Sequence, residues 1–203
     1  PYDAKGLLNA AMNGTDPVVF MEGQILYDKG EEFHEGGIPK EYYEVPIGEP
    51  DVKISGDDLT IVTIGASLYV ARETAKRLRE EYGISAEVID IRTLVPLNYE
   101  PILESVKKTG KVVIVGDEVA RNSFMNTIAQ TISELAFDYL DAPPCVVGAR
   151  NWICPAPEYD KYFYPGVNWI LDAIHTRIMP LKGYLCLNNC SDKEIIRRNR
   201  QGV

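Results

Sequence analysis

From residue 59 onward, apolar positions alternate between two spacings. LTIVTIG (59–65) is a short β-branched run ending in glycine, the pattern of a buried strand. SLYVARETAKRLREEYG (67–83) then places Leu68, Ala71, Ala75, Leu78 and Tyr82 at helical spacing, with Gly83 as its stop. ISAEVIDIRTLVP (84–96) reads as a second strand. NYEPILESVKKTG (98–110) reads as a short helix, with Asn98 as N-cap and Lys107 and Lys108 at its negative C-terminal end. KVVIVGDE (111–118) is a third strand. NSFMNTIAQTISELAFDYL (122–140) puts Phe124, Ile128, Ile132, Leu135 and Tyr139 on one helical face. PPCVVGA (143–149) is a fourth strand, and VNWILDAIHTRIM (167–179) a last helix stopped by Pro180. Strands alternating with helices at this spacing imply βαβ units, an α/β fold built on a mostly parallel, doubly wound sheet. The right-handed crossover rule leaves few topologies for it.

The first fifty residues have another pattern. DAKGLLNAAM (3–12) reads as a helix and DPVVFMEG (16–23) as a strand. YDKGEEFHEGGIPKEYYEVPIGEPDVKISGDD (27–58) is polar, carries three prolines and shows no periodicity. A connection that long is uncommon inside one compact domain. The expected organisation is therefore the end of an upstream α/β domain plus linker over residues 1–48, a complete domain over 49–181, and a C-terminal extension over 182–203.

Composition narrows the classes. Hydrophobic content of 45% and charged content of 25% are those of a globular protein. No apolar run approaches the roughly 18 residues of a membrane span. The opening PYDAKGLLNA has neither the basic nor the apolar part of a signal peptide, and it lacks Met, which points to a piece of a longer chain. A net charge of −9 argues against nucleic acid and anionic lipid as general partners. It suits a basic protein partner, or solubility alone. Four cysteines do not make a disulfide scaffold here and fit a reducing cytoplasm. The CLNNC spacing of Cys186 and Cys190 lacks the second pair of ligands that zinc needs, so scattered thiols are expected.

Neither GxGxxG nor GxxxxGK[ST] occurs. Of the two histidines, His34 is expected as a solvated loop residue and His175 as a hydrogen-bonded helix residue. Asp117-Glu118, after KVVIV, is either an acid–base pair or a cap for the next helix. Arg92, in EVIDIRTLVPL, sets a fixed positive charge beyond a strand end, where open parallel sheets bind ligands. It is an anion-site candidate on those grounds.

Several stretches together resemble one family: PYDAKGLLNAAMNGTDPVVFMEGQILYD, YEVPIGE, TIVTIG, AEVIDIRTLVPLNYEPILESVKKTGKVVIVGDE, FDYLDAPPCVVGAR and PAPEYDKYFYP. They are similar to the C-terminal part of the β subunit of thiamine diphosphate-dependent 2-oxo acid dehydrogenases, over about residues 1–181. The segment PAPEYDKYFYPGVNWILDAIHTRIMPL most resembles the branched-chain type, with α and β regions fused. VARNSFMNT, where relatives carry a glycine-rich stretch, and NWICPAP, where many have an Asp before Pro-x-Pro, depart from the pattern.

The resemblance implies a transketolase-like C-terminal domain preceded by the end of a pyrimidine-binding domain. It implies oxidative decarboxylation of a 2-oxo acid, with acyl transfer to a lipoyl group. Thiamine diphosphate and magnesium would sit on the α region, and the catalytic Glu and His upstream, so no catalytic or cofactor-binding residue is assigned here and the chain alone is expected to be inactive. One family site maps onto this chain, a monovalent cation (potassium) held by main-chain oxygens at Ala11, Met12, Gly14 and Asp16. A plain helix stop is the alternative at those positions. The resemblance also implies an α-subunit partner, a β–β dimer and an acyltransferase core as docking partner. In place of a ligand site, it implies that Arg92 pairs with a carboxylate or caps carbonyls across the domain junction, with Thr93 and Pro96 fixing the turn. Other transketolase-like enzymes (transketolase, deoxyxylulose phosphate synthase) and a non-catalytic interaction module are the competing readings.

Overall fold

The computed structural model describes residues 1–187. Its centre is a five-stranded sheet: β1 (Asp51–Ile54), β2 (Leu59–Thr63), β3 (Ala86–Asp90), β4 (Val112–Val119) and β5 (Cys145–Ala149). The spatial order is β1-β3-β2-β4-β5, parallel throughout except for β1, which runs antiparallel to β3 on one edge. Ile61 pairs with Val88 on one side and Val113 on the other, and Val62 with Ile89 and Ile114. Every residue of β2 is buried, which a near-continuous β-branched run requires of a central parallel strand. The doubly wound α/β expectation holds.

Helices cover both faces. Helix α1 (Tyr2–Asn13) lies on the N-terminal arm, and α2 (Ser67–Tyr82), α3 (Glu100–Thr109), α4 (Phe124–Leu135), α5 (Asp160–Phe163) and α6 (Val167–Arg177) belong to the sheet domain. Leu59, Ile61, Val88, Val113 and Val147 point to the face covered by α2 and α6. Val62, Ile89, Val112 and Ile114 point to the face covered by α3 and α4. The crossover from β2 to β3 passes over one face, and that from β3 back across β2 to β4 over the other. Reversing both direction and face keeps the same hand of connection. Gly83 (φ 68°) and Gly110 (φ 67°) close α2 and α3 in the left-handed conformation that glycine adopts without a Cβ penalty. On the α3 face, the Thr60 hydroxyl is 2.7 Å from both the Ser105 and the Thr109 hydroxyl, so this buried threonine does not leave its oxygen orphaned.

Several expected elements differ. DPVVFMEG forms no strand: Val19 and Met21 are 85% and 74% exposed, and no neighbouring strand offers a ladder. The polar stretch 27–58 contributes β1 and packs along α1. On α4 Ile128 and Ile132 are buried as expected, Met125 is buried in addition and Phe124 packs partly buried against the core, while Leu135 and Tyr139 are exposed. The helix ends at Leu135, and a 3-10 turn (Phe137–Tyr139) breaks the periodicity that placed Tyr139 on the face. The tail SDKEIIRRNR (191–200), in which Ser191 and Glu194 have the spacing of a helix capping box, lies outside the described residues.

Candidate functional site

Of the residues singled out by sequence, Arg92 and Thr93 lie at the junction between α1 and the C-terminal end of β3. Helix α1 is sewn to the returning segment 39–45 along its length. Lys5 Nζ donates to the main-chain oxygens of Pro39 and Glu41, the latter at 2.9 Å, and Asn9 Nδ2 donates to Tyr43 O at 2.8 Å. Gly6 lets Val45 lie directly on the helix, with Val45 N–H donating to Gly6 O at 3.1 Å. Tyr2 stacks on His34 and Tyr43 at 3.8 and 4.7 Å; His34 is an exposed loop residue, as expected, with one ring face on Tyr2.

A cluster of fixed charges lies beside this seam. Arg92 Nη2 is 2.7 Å from Asp3 on α1 and 2.6 Å from Asp51 on β1. Lys53 Nζ is 2.6 Å from each of the same two carboxylates. The side chains of Arg92 and Lys53 are 11% and 5% exposed. Burial alone would push the Lys53 ammonium down, but its hydrogen bonds to Asp3 and Asp51 carry it above the usual range. Arg92 adopts φ 57°, a conformation costing a non-glycine residue about 1–2 kcal/mol, and its N–H donates to Asp90 Oδ1 at 3.0 Å. Thr93 Oγ1 accepts from Gly48 N–H at 3.0 Å and donates to Pro96 O at 3.0 Å, and the Val95–Pro96 bond is cis. Arg92 thus pairs with carboxylates across the junction. With one guanidinium nitrogen held by both Asp3 and Asp51, it serves as a structural ion pair rather than an open anion site.

The four cation-site candidates occupy the last turn of α1 and the short stretch just beyond it. Gly14 N–H donates to Ala10 O at 3.2 Å and closes the helix; Gly14 itself is extended (φ −76°, ψ 169°). The Ala11 and Met12 carbonyls belong to the final turn, whose oxygens lack a further helical N–H to satisfy them. Met12, Gly14 and Asp16 are exposed. This set of main-chain oxygens with one nearby carboxylate suits a hard monovalent cation by donor chemistry. Among the described residues, no group of three or more His, Cys, Asp or Glu side chains converges as a metal site.

The remaining candidates have structural partners. Glu118 Oε1 accepts the N–H of Met125 at 3.2 Å, so this one of the two carboxylates at the end of β4 caps the first turn of α4. His175 Nδ1 accepts from Leu181 N–H at 2.9 Å, tying the chain beyond α6 to that helix. Cys145 starts β5, whereas Cys154 and Cys186 are exposed on other segments; Cys190 lies outside the described residues. In the aromatic segment Phe163 is buried, while Trp152, Tyr159 and Tyr162 are more than half exposed and Ile153 is 94% exposed. Arg150 lies 4.9 Å from the Trp152 ring centre and 4.4 Å from that of Trp169. An open groove of about 500 Å³ runs beside them, lined by Glu73, Arg77, Lys161, Tyr162, Trp169 and Leu187. The charge cluster was only half legible in sequence. Arg92 stood out as a charge beyond a strand end, but Asp3, Asp51 and Lys53 lie in segments whose contacts no local period encodes.

Residues 48–170, the whole sheet with α2 to α5 and the start of α6, match the family model described as transketolase, C-terminal domain. The chain belongs to this family. Its transketolase C-terminal domain has curated relatives among β subunits. It is 43% identical over 165 residues to the 2-oxoisovalerate dehydrogenase subunit beta of Bacillus subtilis strain 168, covering 80% of this chain and 49% of that one. It is 41% identical over 165 residues to the pyruvate dehydrogenase E1 component subunit beta of Acholeplasma laidlawii, covering 81% and 49%. It is also 41% identical over 166 residues to the acetoin:2,6-dichlorophenolindophenol oxidoreductase subunit beta of Bacillus subtilis strain 168, covering 81% and 47%. The chain spans about half the length of these relatives. Among solved structures, it superposes on a split-gene transketolase, described as an inactive beta4 tetramer, with TM-score 0.58 and 26% identity over 68% of this chain and 46% of that one. Three substrates appear at nearly equal identity, so the comparison does not separate a branched-chain type from the others. No helix among the described residues is long and apolar enough to cross a membrane.

Proposed function

We propose that this chain is the C-terminal portion of the β component of a thiamine diphosphate-dependent 2-oxo acid dehydrogenase, and that it serves architecture and assembly rather than catalysis. The observation that carries this reading is 36–43% identity to β subunits of such enzymes over four-fifths of the chain. In this reading residues 1–48 end the pyrimidine-binding domain, 49–181 form the transketolase-like domain, and 182–203 are an extension. The intact enzyme works in the cytoplasm. Its α region holds the diphosphate and magnesium, where the cofactor supplies the carbanion chemistry. Its acyltransferase core receives the acyl group. The substrate favoured is a branched-chain 2-oxo acid, on the resemblance of the segment 155–181. Turnover of 2-oxoisovalerate against pyruvate by the assembled enzyme tests that choice.

The role of the chain itself is tested by calorimetry with thiamine diphosphate and magnesium, alongside a 2-oxo acid decarboxylation assay. Neither tight binding nor turnover is expected from the 203-residue chain. Turnover would overturn the assignment. The turn at Ala11, Met12, Gly14 and Asp16 is proposed to hold potassium. A higher melting temperature in potassium than in tetramethylammonium at matched ionic strength is the expected result. Equal melting temperatures remove the four residues from the site.

A further inference from the structure

The charge cluster at the α1 junction contains three carboxylates (Asp3, Asp51, Asp90) and two cations (Lys53, Arg92). Every close ion pair in it goes to Asp3 or Asp51. Among the described residues, Asp90 is in no ion pair. It is 7% exposed, and the hydrogen bond it has comes from a neutral backbone amide, that of Arg92. Its cross-strand partner in the β1–β3 ladder is Asp51, so two acidic residues stand opposite each other in register. On its other side, β2 presents neutral Thr63 in register. In the same cluster, Arg92 Nε is buried without an acceptor. The arrangement therefore carries one negative charge more than its cations balance, on a side chain hidden from water, and such a charge is expensive to keep.

We propose that this cluster is a proton-operated latch: Asp90 takes up a proton, which leaves two cations facing two carboxylates and holds α1 against the sheet, and loss of that proton loosens α1. The bond that forms is O–H on Asp90 and the proton comes from solvent; nothing else in the cluster changes charge. Burial is the main cause that pushes the Asp90 carboxyl up, to about 6, with Asp3 adding to it and the Arg92 amide and the Lys53 and Arg92 charges opposing. Linkage sets the sign. A carboxyl whose folded value lies above its unfolded value stabilises the docked state below the unfolded value, and that stability is lost as pH rises through the folded one.

The test is hydrogen exchange of the α1 amides in the 203-residue chain, corrected for intrinsic rates, at pH 5 and pH 7.5. Protection is expected to fall about tenfold between the two, the linkage expected when undocking returns Asp90 to water. Asp90→Asn should abolish the fall. Asp51→Asn, which frees a cation for Asp90, should shift its midpoint to lower pH. His34 also approaches α1, through Tyr2, so His34→Gln is the control and must keep the fall. Persistence of the fall in Asp90→Asn, or its loss in His34→Gln, overturns the proposal. If Asp90→Asn does not fold, the carboxyl carbon of Asp90 in the unaltered chain is titrated by NMR. A midpoint near 6 supports the latch, and one in the ordinary aspartate range overturns it.

Discussion

Arg92 shows how much one side chain can carry at a junction. It adopts a left-handed backbone and presents one guanidinium nitrogen to both Asp3 and Asp51. Replacing it with Ala removes a cation from between two carboxylates while Asp90 stays buried next to them. The loss of stability should approach the low end of about 3–5 kcal/mol for breaking a buried pair, because Asp51 is 37% exposed and partly hydrated. Urea unfolding at pH 7 measures it. Gly6 makes the opposite case, a residue chosen for what it lacks. A Cβ there would overlap Val45 Cγ2 and lie 2.9 Å from the Tyr43 ring. Gly6→Ala should therefore destabilise by about 1–3 kcal/mol from overpacking, less the ~0.5–1 kcal/mol that alanine adds in a helix interior. A rise in the unfolding midpoint for Gly6→Ala would mean that the return segment is not seated on α1 as described.

Elements differ in how far their own sequence specifies them. The seam around α1 depends on Glu31, which accepts hydrogen bonds from the N–H groups of Tyr2, Phe33 and His34. Burial pushes the Glu31 carboxyl up, but those donors, with the Pro1 amine, outweigh it and hold it down to about 2. A depressed carboxyl stabilises the fold above its unfolded value and loses that contribution as pH falls through the folded one. Protection of the first turn of α1 should thus drop between about pH 4.5 and pH 2, and Glu31→Gln should remove that step. Strands β2 to β5 and helices α2, α3 and α6 were legible in sequence because each carries its own period and its own stop. The strand expected at DPVVFMEG failed for a physical reason: β-branched residues favour a strand only when a neighbour completes the ladder. Strand β1 was missed for the complementary reason. Asp51–Ile54 is a four-residue edge strand in a polar stretch, and it forms because β3 offers an open edge. The partners of Arg92 were hidden by the same limit, since Asp3 and Asp51 are brought to it by tertiary packing rather than by spacing.

At the scale of the molecule, the question is what covers the surface left open beyond the sheet. In the segment 151–169, the structure buries Phe163 and leaves Trp152, Ile153, Tyr159 and Tyr162 largely exposed. Of the six aromatic residues there, Phe163 is buried, Tyr164 and Trp169 are half-buried and three are exposed. Arg150 packs against the rings of Trp152 and Trp169, and exposed aromatic residues with arginine are the composition of interface centres. The chain is expected to self-associate as a dimer through its C-terminal domain. Its net charge of −9 opposes this only weakly, because salt screens exposed charges beyond about 8–10 Å. Light scattering over a concentration series in moderate salt should show a mass rising toward twice that of the chain, and Trp152→Ser with Ile153→Ser should lower it, with little change in the unfolding midpoint at a dilution where both proteins are monomeric, since neither side chain is buried. A strictly monomeric mass at high concentration would mean that pairing requires a surface outside this chain, and the exposed aromatics would then be assigned to a different partner.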